Sequence, residues 1–145
     1  MPEKIILLVE DNVADVTLTI RAIRRANIAN DMVVTRDGVE ALDYLFGIGQ
    51  YSGRDKHHLP IVVLLDVNLP KIDGIEVLKR IRANPITQQL PVVMLTSSTE
   101  KNDITASYKY NCNSYVRKPV DFIQFAEAVK QLGLYWLVLN EPPVI

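Results

Sequence analysis

Residues 61–66 read Ile-Val-Val-Leu-Leu-Asp, five aliphatic side chains in unbroken succession ended by a carboxylate. A strand with one wet face alternates apolar and polar residues. A continuous run of this length instead suits a strand covered on both faces, as in a parallel sheet flanked by helices. The same pattern recurs outward from that point. Residues 4–10 (KIILLVE), 32–35 (MVVT), 91–96 (PVVMLT) and 114–117 (SYVR) read as four further strands. Each strand is followed by a longer stretch with helical rhythm. Val13, Val16, Ile20 and Ile23 form one stripe, and Val39, Leu42, Leu45 and Phe46 form another behind an Asp37 cap. Ile75, Leu78 and Ile81 make a third, closed by Asn84-Pro85. Residues 100–110 are a more polar fourth helix. Asp121 caps the fifth, whose stripe is Phe122, Phe125, Val129 and Leu132. Strand–helix alternation repeated five times predicts an α/β, doubly wound five-stranded parallel sheet of the flavodoxin-like kind.

The whole chain fits one such domain. Its 145 residues are 48% hydrophobic and 23% charged, the balance of an ordinary globular protein that needs no metal or disulfide staple. A net charge of −1 argues against a nucleic-acid coat or a polybasic membrane anchor. The run at residues 5–9 is too short for a signal peptide, and no stretch reaches the ~18–20 apolar residues of a membrane span. With Cys112 as the single cysteine, an intrachain disulfide is impossible and a cytoplasmic location is expected. The longest loop, residues 47–59, is marked as irregular by Gly47, Gly49 and Gly53.

The tail is unusual. After Gly133 come Leu134, Tyr135, Trp136, Leu137, Val138 and Leu139, before Pro142-Pro143 stops any helix. One reading packs this segment on the chain's own sheet. The other makes residues 134–145 an apolar extension that joins two copies in a homodimer, with Leu134, Tyr135, Trp136, Leu137 and Leu139 as contact candidates. In either case residues 1–145 form a single domain with no output domain attached. Any output passes through another protein or through the oligomeric state.

Ligands of open parallel sheets bind beyond the carboxyl ends of the strands. Those ends carry Glu10-Asp11, Asp66, Thr96 with Ser97 and Ser98, and Lys118-Pro119. Two carboxylates 4 Å apart repel by about 4 kcal/mol at an effective dielectric near 20. A divalent cation relieves that cost, and all-oxygen ligands select a hard ion such as Mg²⁺, with Mn²⁺ also accommodated. Lys118 supplies a point charge for an anion, and Thr96 a hydroxyl donor. The set suits phosphoryl chemistry, and a carboxylate can itself be the phosphoryl acceptor. Asp66, at the end of the middle run, is best placed for that.

Four segments carry a resemblance: Val9-Glu10-Asp11-Asn12, Leu65-Asp66-Val67-Asn68-Leu69-Pro70 with Asp73-Gly74, Leu95-Thr96-Ser97-Ser98, and Val116-Arg117-Lys118-Pro119. Together the chain resembles the receiver domain of two-component response regulators. The resemblance implies a CheY-like sheet of order 2-1-3-4-5 and a signalling protein, not an enzyme. It implies Asp66 as phosphoacceptor from a sensor histidine kinase and Lys118 as counter-charge. It also implies Mg²⁺ held by Asp11, Asp66 and the carbonyl of Asn68, with Glu10 acting mainly through water. Thr96 and Tyr115 match the family's switch positions, and Lys118-Pro119 its cis peptide. Asp37-Gly38, Glu40-Ala41-Leu42, Asn113-Ser114-Tyr115 and Tyr135-Trp136 look more narrowly like single-domain regulators serving phytochrome kinases.

Rival readings fare worse. A flavin-binding relative would need a Ser/Thr/Gly-rich loop after the first strand, where this chain has Glu10-Asp11-Asn12-Val13-Ala14-Asp15. An aspartate-nucleophile phosphohydrolase of the haloacid dehalogenase type would need a second Asp two residues after Asp66, where this chain has Asn68. His57 and His58, adjacent in a polar loop, read as solvated.

Overall fold

Successive side chains of a strand point to opposite faces, so an unbroken aliphatic run feeds two cores at once. The computed structural model, which describes residues 5–25, 31–98, 100–118 and 122–136, shows this arrangement. Among the described residues five strands, β1 (Ile5–Val9), β2 (Asp31–Thr35), β3 (Val62–Leu65), β4 (Val92–Thr96) and β5 (Ser114–Arg117), pair in parallel in the order β2-β1-β3-β4-β5. Leu7, Val9, Val63, Leu65, Val92 and Met94 face one core. Ile6, Leu8, Val62, Leu64, Val93 and Leu95 face the other. β3 and β4 are buried throughout, whereas the edge strands β2 and β5 are mostly half-buried.

Two helices cover each face. On the first lie α2 (Gly38–Phe46) and α3 (Gly74–Ala83), contributing Ala41, Leu42, Leu45, Val77, Leu78 and Ile81. On the second lie α1 (Val13–Arg25) and α5 (Phe122–Leu134), contributing Val16, Ala22, Ile23, Phe125 and Val129. The polar α4 (Lys101–Lys109) buries only Ser107 fully, whose hydroxyl donates to the Asp103 carbonyl. Caps fix the entries. The Asp37 carboxylate accepts from the Glu40 amide at 2.7 Å, and Asp73 accepts from the Glu76 amide at 2.9 Å. α2 ends at Gly47, whose φ of 63° suits glycine, and α3 ends at Asn84, held extended before Pro85.

Several sequence expectations need correction. Glu10, Ile61, Asp66 and Pro91 lie just outside the strands, and α4 is one residue shorter at each end. Val13 is 63% exposed, because the buried stripe of α1 begins one turn later and includes Thr19, whose hydroxyl bonds the Asp15 carbonyl. The fifth helix runs through Gly133 to Leu134. Trp136 is 6% exposed and packs among Ile6, Ile23, Val62, Leu64, Val129 and Leu132, so its ring fills the chain's own core and presents no outer face. Tyr135 is half exposed and meets Trp136 edge-on at 5.0 Å. The Asp121 cap, the Lys118-Pro119 peptide, Leu137, Leu139 and the side chains of Phe122 and Leu134 fall outside the described residues.

Candidate functional site

Three chemically important residues sit one step past a strand, each anchored by its own amide to the neighbouring strand. The Glu10 N–H donates to the Thr35 carbonyl at 3.0 Å, Asp66 N–H to Val9 at 3.1 Å, and Lys118 N–H to Thr96 at 2.8 Å. The ladder thus continues just far enough to aim these side chains off the rim. β1 and β3 are neighbours at the point where the strand order reverses, which brings Glu10 and Asp11 beside Asp66.

One carboxylate oxygen from each of Glu10, Asp11 and Asp66 lies within 4.8 Å of the others. Glu10 and Asp66 are buried and Asp11 is exposed. The Lys118 ammonium, itself buried, donates to Glu10, to Asp66 Oδ2 at 3.1 Å and to Asp15 Oδ2 at 3.0 Å. Asp66 Oδ1 accepts from the Asn68 amide at 3.3 Å, and Glu10 Oε2 accepts from the Asn12 amide at 3.3 Å. Asn12 in turn caps α1 by accepting from the Asp15 amide at 3.1 Å.

Gly74 lets the loop after β3 close over α3. A Cβ there would come within 2.0 Å of the Asp66 carbonyl oxygen and 2.9 Å of the Val67 Cα. The Gly74 amide donates to the Val67 carbonyl at 2.8 Å, and the loop passes through Lys71 in the left-handed region at φ 68°.

Negative charge exceeds positive in this cluster. Burial pushes the Glu10 carboxyl up to about 7, against the pull of the Lys118 hydrogen bond and with the Asp66 charge adding to the rise. Burial alone would lower Lys118, but the Glu10 hydrogen bond and the Asp66 and Glu10 charges outweigh it, and its pKa lies above the usual value. The ammonium therefore stays charged. Crowded hard oxygens with a surplus of negative charge fit a divalent cation beside Lys118.

Thr96 and Tyr115, the positions expected to switch, lie on the β4–β5 side. Thr96 is buried, and its Oγ1 accepts from the Ser98 amide at 3.2 Å; the described contacts do not join its hydroxyl to Asp66 or Lys118. The Tyr115 hydroxyl donates to the Ser98 carbonyl at 2.8 Å, and Ser98 Oγ donates to Asp103 at 2.5 Å. The side chain of Asn68 is exposed. Two contributors went unread in the sequence: Asp15, visible only as an acid in the first turn of α1, and Arg36, whose guanidinium donates to the Asp11 carbonyl at 2.9 Å.

The model of the response regulator receiver domain matches residues 6–130. Among curated proteins the chain is 42% identical to the probable methanogenesis regulatory protein FilR2 of Methanothrix harundinacea, over 96% of this chain and 87% of that one. It is 38% identical to the response regulator Rcp1 of Synechocystis, over 94% and 90% of the two chains. A Mn²⁺-bound structure of Rcp1 superposes with a TM-score of 0.89 at 36% identity, covering 97% of this chain and 99% of that one. The phosphorylated cyanobacterial phytochrome response regulator RcpA superposes with a TM-score of 0.90 at 38% identity, covering 98% and 99%.

Proposed function

The chain belongs to the response regulator receiver family, and from that premise we propose that Asp66 accepts a phosphoryl group from a sensor histidine kinase. The carrying observation is the placement of Asp66: a buried carboxylate with one oxygen on Lys118 and the other on the Asn68 amide, beside Glu10 and Asp11. An Asp66 oxygen attacks phosphorus of a phosphohistidine, the P–N bond breaks, and its electron pair leaves on the imidazole, which takes a proton from solvent. An acyl phosphate results. Lys118 meets the phosphoryl oxygens with an ammonium already in place. Asp11, Asp66 and the Asn68 carbonyl would hold Mg²⁺ or Mn²⁺, with Glu10 acting through water, and a bound cation neutralises charge on the transferring group.

Thr96 and Tyr115 then carry the change outward. Tyr115 is tied to the loop between β4 and α4 through Ser98, so a shift of Thr96 toward the phosphate disturbs the segment that Tyr115 holds. Resemblance to the phosphorylated cyanobacterial phytochrome response regulator RcpA supports a phytochrome as the kinase, and the single cysteine suits action in the cytoplasm. We assign the chain a homodimeric output in which Tyr135, half exposed in the structure, and Leu137 and Leu139 take part. No helix among the described residues is long and apolar enough to cross a membrane.

The test is incubation with acetyl phosphate and Mg²⁺ followed by intact mass. Wild type gains one phosphoryl group, and Asp66→Asn and an excess-EDTA control gain none. Labelling of the Asn variant, or of another residue in wild type, overturns the assignment. Asn68 has no acidic proton to give, so multiple-turnover hydrolysis of small phosphate esters is not expected.

A further inference from the structure

The segment between α2 and β3 takes no part in that chemistry, yet it is wired to a cation ligand. It begins with a single 3₁₀ turn, Gly49–Tyr51. The Tyr51 hydroxyl donates to Glu40 Oε2 at 2.8 Å, and Gln50 Nε2 donates to the same oxygen at 3.2 Å. The other Glu40 oxygen accepts from the Arg36 backbone amide at 2.9 Å. Arg36 Nη2 donates to the Asp11 carbonyl at 2.9 Å. The loop end of this chain is braced as well. Tyr51 meets the Tyr44 ring edge-on at 5.1 Å, and the Arg54 guanidinium lies 4.0 Å from the same ring while donating to the Tyr44 carbonyl at 2.7 Å.

We propose that Arg36 is a positioning residue for the cation ligand Asp11, and that Glu40 and Tyr51 hold Arg36 in place. Asp11 lies in the three-residue link between β1 and α1, on the solvent side of the cluster, with its side chain exposed. The Arg36 hydrogen bond fixes the peptide that follows Asp11 and so narrows where its carboxylate points. Arg36 is well sited for this, being the first residue past β2, the strand paired to β1. Burial and the Glu40 hydrogen bond push the Tyr51 phenol up to about 12, so its O–H remains a donor across the neutral range.

The bland alternative is an exposed guanidinium that acts only as a charge. The two roles predict opposite signs. A positive charge near a cation site opposes the cation, so its removal tightens binding. A positioning contact improves the site, so its removal loosens binding, typically by tenfold or more for outer contacts of a metal ligand.

The inference rests on the cation site proposed above, and its test separates the two. Mn²⁺ binding to the full chain is measured by calorimetry without any phosphoryl donor, for wild type, Asp11→Ala, Arg36→Ala, Arg36→Lys and Tyr51→Phe. Wild type binds and Asp11→Ala loses binding. Arg36→Ala weakens binding about tenfold, Arg36→Lys recovers part of that loss, and Tyr51→Phe, which changes no charge, weakens it about threefold, being one link further out. A wild type that binds no Mn²⁺ overturns the cation site itself. A wild type that binds, with Arg36→Ala equal or tighter, overturns the positioning role alone. An unchanged Tyr51→Phe removes the loop from it. Should Arg36→Ala fail to fold by circular dichroism, Arg36→Lys weaker than wild type sustains the proposal and Arg36→Lys equal to wild type overturns it.

Discussion

The carboxylate of Asp15 stands 3.0 Å from the Lys118 ammonium across 103 residues of sequence. With Glu10 and Asp66 it completes a set of three acceptors, one for each N–H of the ammonium. Asp15 is the one of the three outside the group whose oxygens converge for a cation. Were a cation and a phosphoryl group to compete for Glu10 and Asp66, as proposed, Asp15 would remain to Lys118.

Asp15→Asn therefore separates the tether from the cation site. Asp15 is 31% exposed and Lys118 8%, so the lost attraction is expected to lower metal-free stability by about 1 kcal/mol. Urea unfolding in EDTA reads that loss, and Mn²⁺ titration is expected to stay close to wild type. A large fall in cation affinity would place Asp15 among the ligands.

Stability of the metal-free protein is expected to depend on pH through Glu10. Its carboxyl sits near 7 in the folded chain against an ordinary 4.5. Between those values the folded state binds more protons than the unfolded one, so stability falls as pH rises from about 4.5 to about 7. Glu10→Gln flattens this fall, and saturating Mg²⁺ reduces it by neutralising the same charge. Equal slopes for wild type and Glu10→Gln in thermal unfolding would remove Glu10 as the source.

Gly74→Ala is expected to be among the most damaging single-methyl changes in the chain. The added Cβ meets the backbone of Asp66 and Val67, which no side-chain rotation can clear. Overpacking of this kind costs at least about 3 kcal/mol, and here the displaced atoms belong to the acceptor loop. The variant is expected to lose both stability in urea and phosphoryl uptake from acetyl phosphate. Normal uptake would show that the loop yields without moving Asp66.

Assembly is best tested by cutting beyond Trp136. Trp136→Ala, or truncation after Gly133, empties part of the α1–α5 core and is expected to cost about 3–5 kcal/mol whatever the oligomeric state. A chain ending at Trp136 keeps that core and loses residues 137–145. Sedimentation of this truncation as a monomer, against a dimeric full chain, supports the tail as the joining segment. A truncation that still dimerises moves the interface elsewhere.

The inner strands could be read from sequence because burial on both faces leaves no room for polar residues in Ile6–Val9, Val62–Leu65 or Val92–Leu95. The placement of the candidate carboxylates followed from the strand ends, since the ladder itself carries Glu10 and Asp66 to the rim. Other features were hidden for physical reasons. Thr19 is buried because a backbone carbonyl one turn back satisfies its hydroxyl, which hydrophobic periodicity does not register. Arg36 reaches a residue 25 positions away, and Asp15 one 103 away, so neither partner is suggested by local pattern. Trp136 looked like an interface anchor because its composition suits one. Its burial depends on α5 running straight through Gly133, which carries the ring back onto the chain's own sheet.

The order of the strands also sets the cost of taking the sheet apart. β1 and β3 each have a neighbour on both sides, whereas β5 pairs with β4 alone. Peeling β5 breaks one ladder; freeing β3 breaks two and opens both cores. In native-state amide exchange the rim is expected to open at low free energy and the centre only with global unfolding. Asp66 leaves the slow centre, and Tyr115 rides on the fast rim. The protein can thus redraw its outer edge at small expense while the carboxylates at the end of its central strands stay where they are.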